Sequence, residues 1–124
     1  MITGIGLDVI EVERVAEKIE KEQGFRELVF AAAEIEYCEP KAHKHEHYAA
    51  RFAAKEALFK ALGTGWATGT SYNEIIILGD KAGKPEISFI GQTAETLKHL
   101  DLQKVKSSLS HLKNIAAAVV VIEN

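Results

Sequence analysis

The run RFAAKEALFKALGTG, from Arg51 to Gly65, constrains the fold more than any other stretch. At about 100° per residue its apolar side chains point in nearly every direction, so no broad face is left for water. Such a helix belongs in the middle of a molecule, with other elements packed around it. It nevertheless carries Glu56 and Lys60 one turn apart and ends in glycines. Phe52, Glu56, Lys60 and Gly63 share one face, with Phe59 beside them, while Ala54, Ala57, Leu58, Ala61 and Leu62 cover much of the other. Taken alone, Glu56 and Lys60 make an i,i+4 pair on a solvated stripe, worth roughly 0.2–0.5 kcal/mol. The flanking phenylalanines make that face partly apolar, where a charge needs a partner or a ligand.

The elements around this helix can be read from periodicity. In ITGIGLDVI, Ile5, Leu7 and Val9 alternate onto one face of a strand, and Gly4, Gly6 and Asp8 share the other. EVERVAEKIEKEQG is an amphipathic helix with Val12, Val15, Ala16 and Ile19 inward and Gly24 as its stop. FRELVFAAAEIEYCE supplies one or two short helical turns, and Pro40 suits the first turn of the long helix, from Pro40 to about Gly63. YNEIIIL and PEISFI form a hairpin across GDKAGK, QTAETLKHL is a short helix, and VKSSLSH with NIAAAVVVIE closes the chain as a pair of strands. The expected class is α+β, a long central helix on a mostly antiparallel sheet.

With 124 residues, one domain spanning 1–124 is expected, large enough for its own core but small for a self-contained enzyme cleft. A net charge of −3 argues against nonspecific nucleic-acid or membrane binding, so an anionic partner must meet a local basic cluster. The single Cys38 excludes an intrachain disulfide and fits a reducing compartment. The N-terminus is not built as a signal peptide, and IAAAVVVI is too short to span a bilayer as a helix. A cytoplasmic location is expected.

Asp8 raises the same question as Glu56. Gly4 and Gly6 leave bare backbone beside its carboxylate, and strands avoid glycine unless something approaches closely. One reading is a bulge or sheet crossing, with Asp8 capping the following helix. The other is a hard-cation site, in which two carboxylates and a lysine hold Mg²⁺ together with substrate phosphates.

GIGLDVIEVERV and RFAAKEALFKALGTG together resemble the holo-acyl-carrier-protein synthase family of 4′-phosphopantetheinyl transferases. Gly6, Asp8 and Arg14 fill that family's G-x-D-x-x-x-x-x-R segment, and Phe52, Lys55, Glu56, Ala57, Lys60 and Ala61 fill its F-x-x-K-E-A-x-x-K-A segment. EIEYC, GKP and SLSH extend the resemblance over essentially the whole chain. It implies transfer of 4′-phosphopantetheine from coenzyme A to a serine of apo-acyl carrier protein, as in fatty acid biosynthesis, with release of adenosine 3′,5′-bisphosphate. It also implies a homotrimer with active sites between subunits.

Carried over by position, Asp8 and Glu56 are the implied Mg²⁺ ligands and Lys60 a phosphate contact, and these three make up the catalytic set. A bound water or a nearby carboxylate such as Glu56 could take the serine proton, and that role stays unassigned. Lys60, Gly63, Lys84, Pro85, Ser110 and His111 are the implied coenzyme A contacts. His111 could instead satisfy itself within the sheet. Arg14 is either a solvated surface arginine or, by resemblance, a contact for an acidic helix of the carrier, in a basic patch with Lys18 and Lys21. Glu34 could orient a metal-bound water, but an exposed helix-turn acid is its expected state.

His43, His45 and His47 look like a metal motif, yet on a helix they fan out by about 200° per step and do not converge. A Zn²⁺ site is the minor alternative there. His45 shares the Glu56 face, roughly 16 Å away along the helix, and could touch the nucleotide end of the cofactor. The chain departs from the family pattern in Ala31 after Phe30, in Tyr72 where a tryptophan is common, in Ile76 replacing an acid, and in the earlier Trp66. A non-catalytic oligomeric module that binds coenzyme A or a carrier protein is the competing class.

Overall fold

A computed structural model describes residues 1–124. Its elements run β1 (Ile2–Glu11), α1 (Val12–Lys21), α2 (Phe25–Val29), α3 (Ala32–Cys38), α4 (Lys44–Leu62), β2 (Ile75–Gly79), β3 (Pro85–Phe89), α5 (Gly91–Thr96), β4 (Val105–His111) and β5 (Ile115–Glu123). Two 3₁₀ turns, Tyr72–Glu74 and Leu102–Lys104, precede β2 and β4. The strands form two antiparallel sheets, one ordered β1-β5-β4 and the other the β2–β3 hairpin. The α+β expectation holds, and every pairing is antiparallel.

Helix α4 occupies the centre, as its all-round apolar surface requires. Ala53, Ala54, Ala57, Leu58 and Phe59 are buried, and they join Ile75, Ile77, Val120 and Ile122 of both sheets in one core. A second core, with Val15, Phe30, Tyr48 and Ala49, seats α1, α2 and α3 against the first half of α4. Small residues set the closeness of the central contact. A Cβ at Gly6 would collide with the Ala57 carbonyl oxygen, and one at Gly4 with that of Ala61. The bare backbone beside Asp8 is thus filled by α4, which resolves what approaches these glycines.

Three boundaries differ from expectation. Helix α4 begins at Lys44, with Pro40 in the preceding turn and His43 at the N-cap. Helix α1 ends at Lys21, and Gly24, at φ 84°, is the left-handed residue that opens α2. Asp8 is strand residue and not a helix cap, a position taken by Glu11. The far end of α4 is as read: Gly63 adopts φ 78° and donates its N–H to the Phe59 and Lys60 carbonyls.

The three-stranded sheet buries only the face toward α4. On its other face Ile5, Leu7 and Val9 are 66%, 59% and 58% exposed. Leu7 is opposite Val119, which is in turn opposite Ser108, so the outer face is a mainly apolar surface across β1 and β5 with a polar edge on β4.

Candidate active site

Asp8 reaches the site from β1, and Glu56 and Lys60 from α4. Lys60 Nζ donates to Asp8 Oδ1 at 3.0 Å and to the Leu7 carbonyl at 2.9 Å. The Asp8 side chain is mostly covered and that of Lys60 is 55% exposed, so the lysine is free to turn toward an incoming anion. Glu56 does not take Lys60 as its partner. Its Oε2 accepts a hydrogen bond from the Tyr72 hydroxyl at 3.1 Å. The i,i+4 ion pair on a solvated stripe is therefore replaced by two separate pairings. Burial, then Glu56, then Asp8 hold the Tyr72 phenol well above its ordinary range. Of the two carboxylates only Glu56 bonds this hydroxyl, while Asp8 is held by Lys60.

Lys55, next to Glu56 on α4, is fully buried beside a fully buried Glu34. The Lys55 ammonium donates to Glu34 Oε1 at 2.6 Å, to the Val29 carbonyl at 2.7 Å and to the Tyr72 carbonyl at 2.8 Å. Glu34 also accepts from the backbone N–H of Ala31 at 2.9 Å and of Ile77 at 3.0 Å. Every polar atom of the pair is satisfied, which is the condition under which buried charges are tolerated. Burial pushes the Lys55 ammonium down, to about 8, against the pull of Glu34. The expectation of Glu34 as an exposed acid is overturned: it ties α3, α4 and β2 together. A lysine set among the buried alanines of α4 was the signal that an internal anion had to exist.

Ser110 and His111 face opposite sides of the sheet. Adjacent strand residues face opposite ways, so Ser110 lies exposed on the outer face while His111 turns inward, half-buried. His111 Nδ1 is 2.8 Å from Glu46 Oε1, and its ring meets His47 edge-on at 5.0 Å between centroids. With Arg51, Gly83 and Pro85 these rings line a cavity of about 680 Å³. Lys84 lies outside it, in a neighbouring depression of about 610 Å³ that shares Asp80 and Pro85. Asp80 shapes this hairpin loop by accepting from the N–H groups of Ala82 and Lys84. Strand β5 separates β1 from β4, which sets Asp8 and His111 at least roughly 10 Å apart. Glu46 and Glu56 are roughly 15 Å apart along α4. Within one chain, the cavity and the carboxylate pair are apart.

Arg14 is exposed on α1, and it shares a shallow depression with Lys18 and Lys21. Glu17 and Glu22 interleave with them, and Lys18 pairs with Glu22 at 3.5 Å. The surface is mixed in charge where a basic patch was expected. The three histidines diverge as their helical spacing implies: His43 lies near Glu46, His45 near Glu20, and His47 against Tyr37 and His111. Cys38 is fully buried, and burial raises its thiol to about 11, which leaves it inert. No helix is long and apolar enough to cross a membrane.

The sequence matches the family model of the 4′-phosphopantetheinyl transferase superfamily over residues 4–120. It is 47% identical to a holo-[acyl-carrier-protein] synthase of Cytophaga hutchinsonii, over 98% of this chain and 97% of that protein. The fold superposes on the crystal structure of the corresponding synthase of Neisseria meningitidis with a TM-score of 0.87 at 31% identity, covering 100% of both chains. A Bacillus anthracis holo-(acyl-carrier-protein) synthase, solved in complex with CoA (3′,5′-ADP), gives a TM-score of 0.80 at 34% identity, covering 100% of this chain and 98% of that one. The chain belongs to the 4′-phosphopantetheinyl transferase superfamily. Its relatives named here are all holo-acyl-carrier-protein synthases.

Proposed function

We propose that this chain, acting as one domain over residues 1–124, moves the 4′-phosphopantetheine arm of coenzyme A onto a serine of apo-acyl carrier protein. The observation that carries the reading is one face of α4 and β1 on which Lys60 bonds Asp8 while the Tyr72 hydroxyl bonds Glu56 one turn away, in a member of this superfamily. In the reaction the serine oxygen forms a bond to the β-phosphorus of coenzyme A. The bridging P–O bond breaks, adenosine 3′,5′-bisphosphate leaves with the electron pair, and the serine proton passes to a base.

The residues suit a hard divalent cation. Two carboxylates from different elements, one with an oxygen already tied to Tyr72, leave open positions of the kind Mg²⁺ fills with water and phosphate oxygens. Bound by Asp8 and Glu56, Mg²⁺ supplies charge neutralisation at the pyrophosphate and polarises the attacked phosphoryl group. Lys60, turning from Asp8, offers a point charge to the same phosphates. Reactions of this type gain chiefly from positioning and charge neutralisation, which is what these three side chains provide.

The coenzyme A nucleotide takes the cavity of Arg51, Gly83, Pro85 and His111, with Lys84 at its rim and Gly63 beside the phosphates. Because cavity and carboxylates are apart within one chain, the complete site joins the cavity of one copy to the Asp8–Glu56 pair of the next. The exposed apolar face of Ile5, Leu7 and Val9 supports association of this kind, as a homotrimer. Arg14 meets the acidic carrier protein. The working location is the cytoplasm, where a lone free thiol stays reduced.

Mass spectrometry of an apo carrier protein incubated with coenzyme A, Mg²⁺ and this chain tests the reading. Gain of one phosphopantetheine on the acceptor serine is expected. Binding of coenzyme A with no such gain would make the chain a non-catalytic module.

A further inference from the structure

The Tyr72 ring lies across the site face of α4. It stacks on Phe59 at 5.4 Å and 28° and meets Phe52 at 6.0 Å and 42°. These two phenylalanines flank Glu56 on the same helix, so the ring spans the position of the carboxylate. The backbone of Tyr72 is fixed as firmly as its ring. Its carbonyl accepts from the buried Lys55 ammonium at 2.8 Å, and it opens the 3₁₀ turn that leads into β2. The preceding residue is held too, with Ser71 N–H donating to Thr93 Oγ1 at 2.8 Å. The hydroxyl is thus delivered to Glu56 Oε2 by a ring and a main chain that have little freedom.

A carboxylate on a helix face has free rotation at its last torsion unless something binds one oxygen. Groups that hydrogen-bond a ligating carboxylate set its orientation, and their loss typically costs about 10–100-fold in metal affinity or activity. Resting on the functional reading above, we infer that the Tyr72 hydroxyl is a positioning residue that fixes the Glu56 carboxylate and leaves its other oxygen directed to the cation shared with Asp8. The buried Glu34–Lys55 pair is the anchor of this arrangement, because the same ammonium that satisfies Glu34 holds the Tyr72 carbonyl.

The test is Mn²⁺ binding to the full-length protein with coenzyme A present, followed by electron paramagnetic resonance, for wild type, Tyr72→Phe and Glu56→Gln. Tyr72→Phe keeps the ring and removes only the hydroxyl. It is expected to weaken Mn²⁺ about tenfold and to raise the Mg²⁺ concentration for half-maximal transfer by a similar factor. Added Mg²⁺ should restore most of the turnover, and the melting temperature should stay at the wild-type value. Unchanged Mn²⁺ affinity in Tyr72→Phe, with affinity lost in Glu56→Gln, overturns the positioning role and leaves the metal reading standing. Wild-type Mn²⁺ affinity in Glu56→Gln overturns both. A fall in melting temperature that accompanies weaker Mn²⁺ binding in Tyr72→Phe makes the hydroxyl merely structural and also overturns the inference.

Discussion

Lys55 Nζ and Glu34 Oε1 lie 2.6 Å apart with no water access to either side chain. Their pairing joins α3 to α4, and through the Ile77 N–H and the Tyr72 carbonyl it reaches β2 and the turn before it. Lys55→Met would leave a carboxylate buried with only backbone donors, at a cost of about 3–5 kcal/mol. Urea unfolding measures that loss. Combining Lys55→Met with Glu34→Gln should cost less than the two changes summed, because the pair acts as a unit.

The same pair gives a signed pH dependence. Burial lowers Lys55 from its ordinary 10.5 to about 8 in the folded protein. Between those values the unfolded chain holds a proton that the folded chain has released, so this lysine makes stability rise with pH from about 8. Cys38, whose thiol is raised from 9.0 to about 11, and Tyr48 and Tyr72, whose phenols are held above their ordinary 10.0, act in the opposite sense, offsetting the lysine from about pH 9 and lowering stability above 10. Chemical denaturation repeated across this range should trace a rise and then a fall.

Asp8→Asn and Glu56→Gln should each reduce transfer by at least about 100-fold, the scale seen when a charge-stabilising group is removed from a reacting centre. Circular dichroism should show both variants folded, since neither side chain is in the core. Normal transfer by either variant would refute the metal assignment.

Leu7→Glu places a carboxylate on the outer face of β1, where Leu7 is 59% exposed in the isolated chain. If copies associate through that face, light scattering should show a fall in mass toward the monomer. Transfer should fail with it if, as proposed, the complete site is shared between copies. Persistence of the wild-type mass would exclude this face as the interface.

Gly6→Ala adds a methyl group that meets the Ala57 carbonyl. Neither strand nor helix can yield cheaply, so a loss of about 1–3 kcal/mol is expected from overpacking. Thermal unfolding checks it, and transfer should fall as well because α4 carries Glu56 and Lys60.

Much of this was legible in the residues, and particular failures have particular causes. Alternation in ITGIGLDVI placed Asp8 on the face of Gly4 and Gly6, and the all-round apolar run placed α4 at the centre. Lys55 among the alanines of α4 called for a buried anion, but Glu34 as that anion was not legible, because the two stand 21 positions apart and meet only once two elements have docked. Tyr72 was visible as a departure from a pattern, but the destination of its hydroxyl depends on the angle at which the turn crosses α4. The opposite facing of Ser110 and His111 was legible in principle, since VKSSLSH reads as a strand and neighbours in a strand diverge. Pro40 misled for a local reason: its fixed φ suits a turn as well as a helix start.

The glycines of β1 have one more consequence. With Gly4 and Gly6 against the main chain of α4, the spacing between the Asp8 and Glu56 backbones is set by atoms that no side-chain rotation can move. If the two carboxylates hold a cation, only their side-chain torsions can adjust to its size, since the backbones cannot part without separating strand from helix. In that case a frame of this stiffness would favour a small cation with strict octahedral demands over calcium, which accepts more ligands at longer and more variable distances. Ion discrimination would then reside in two missing side chains.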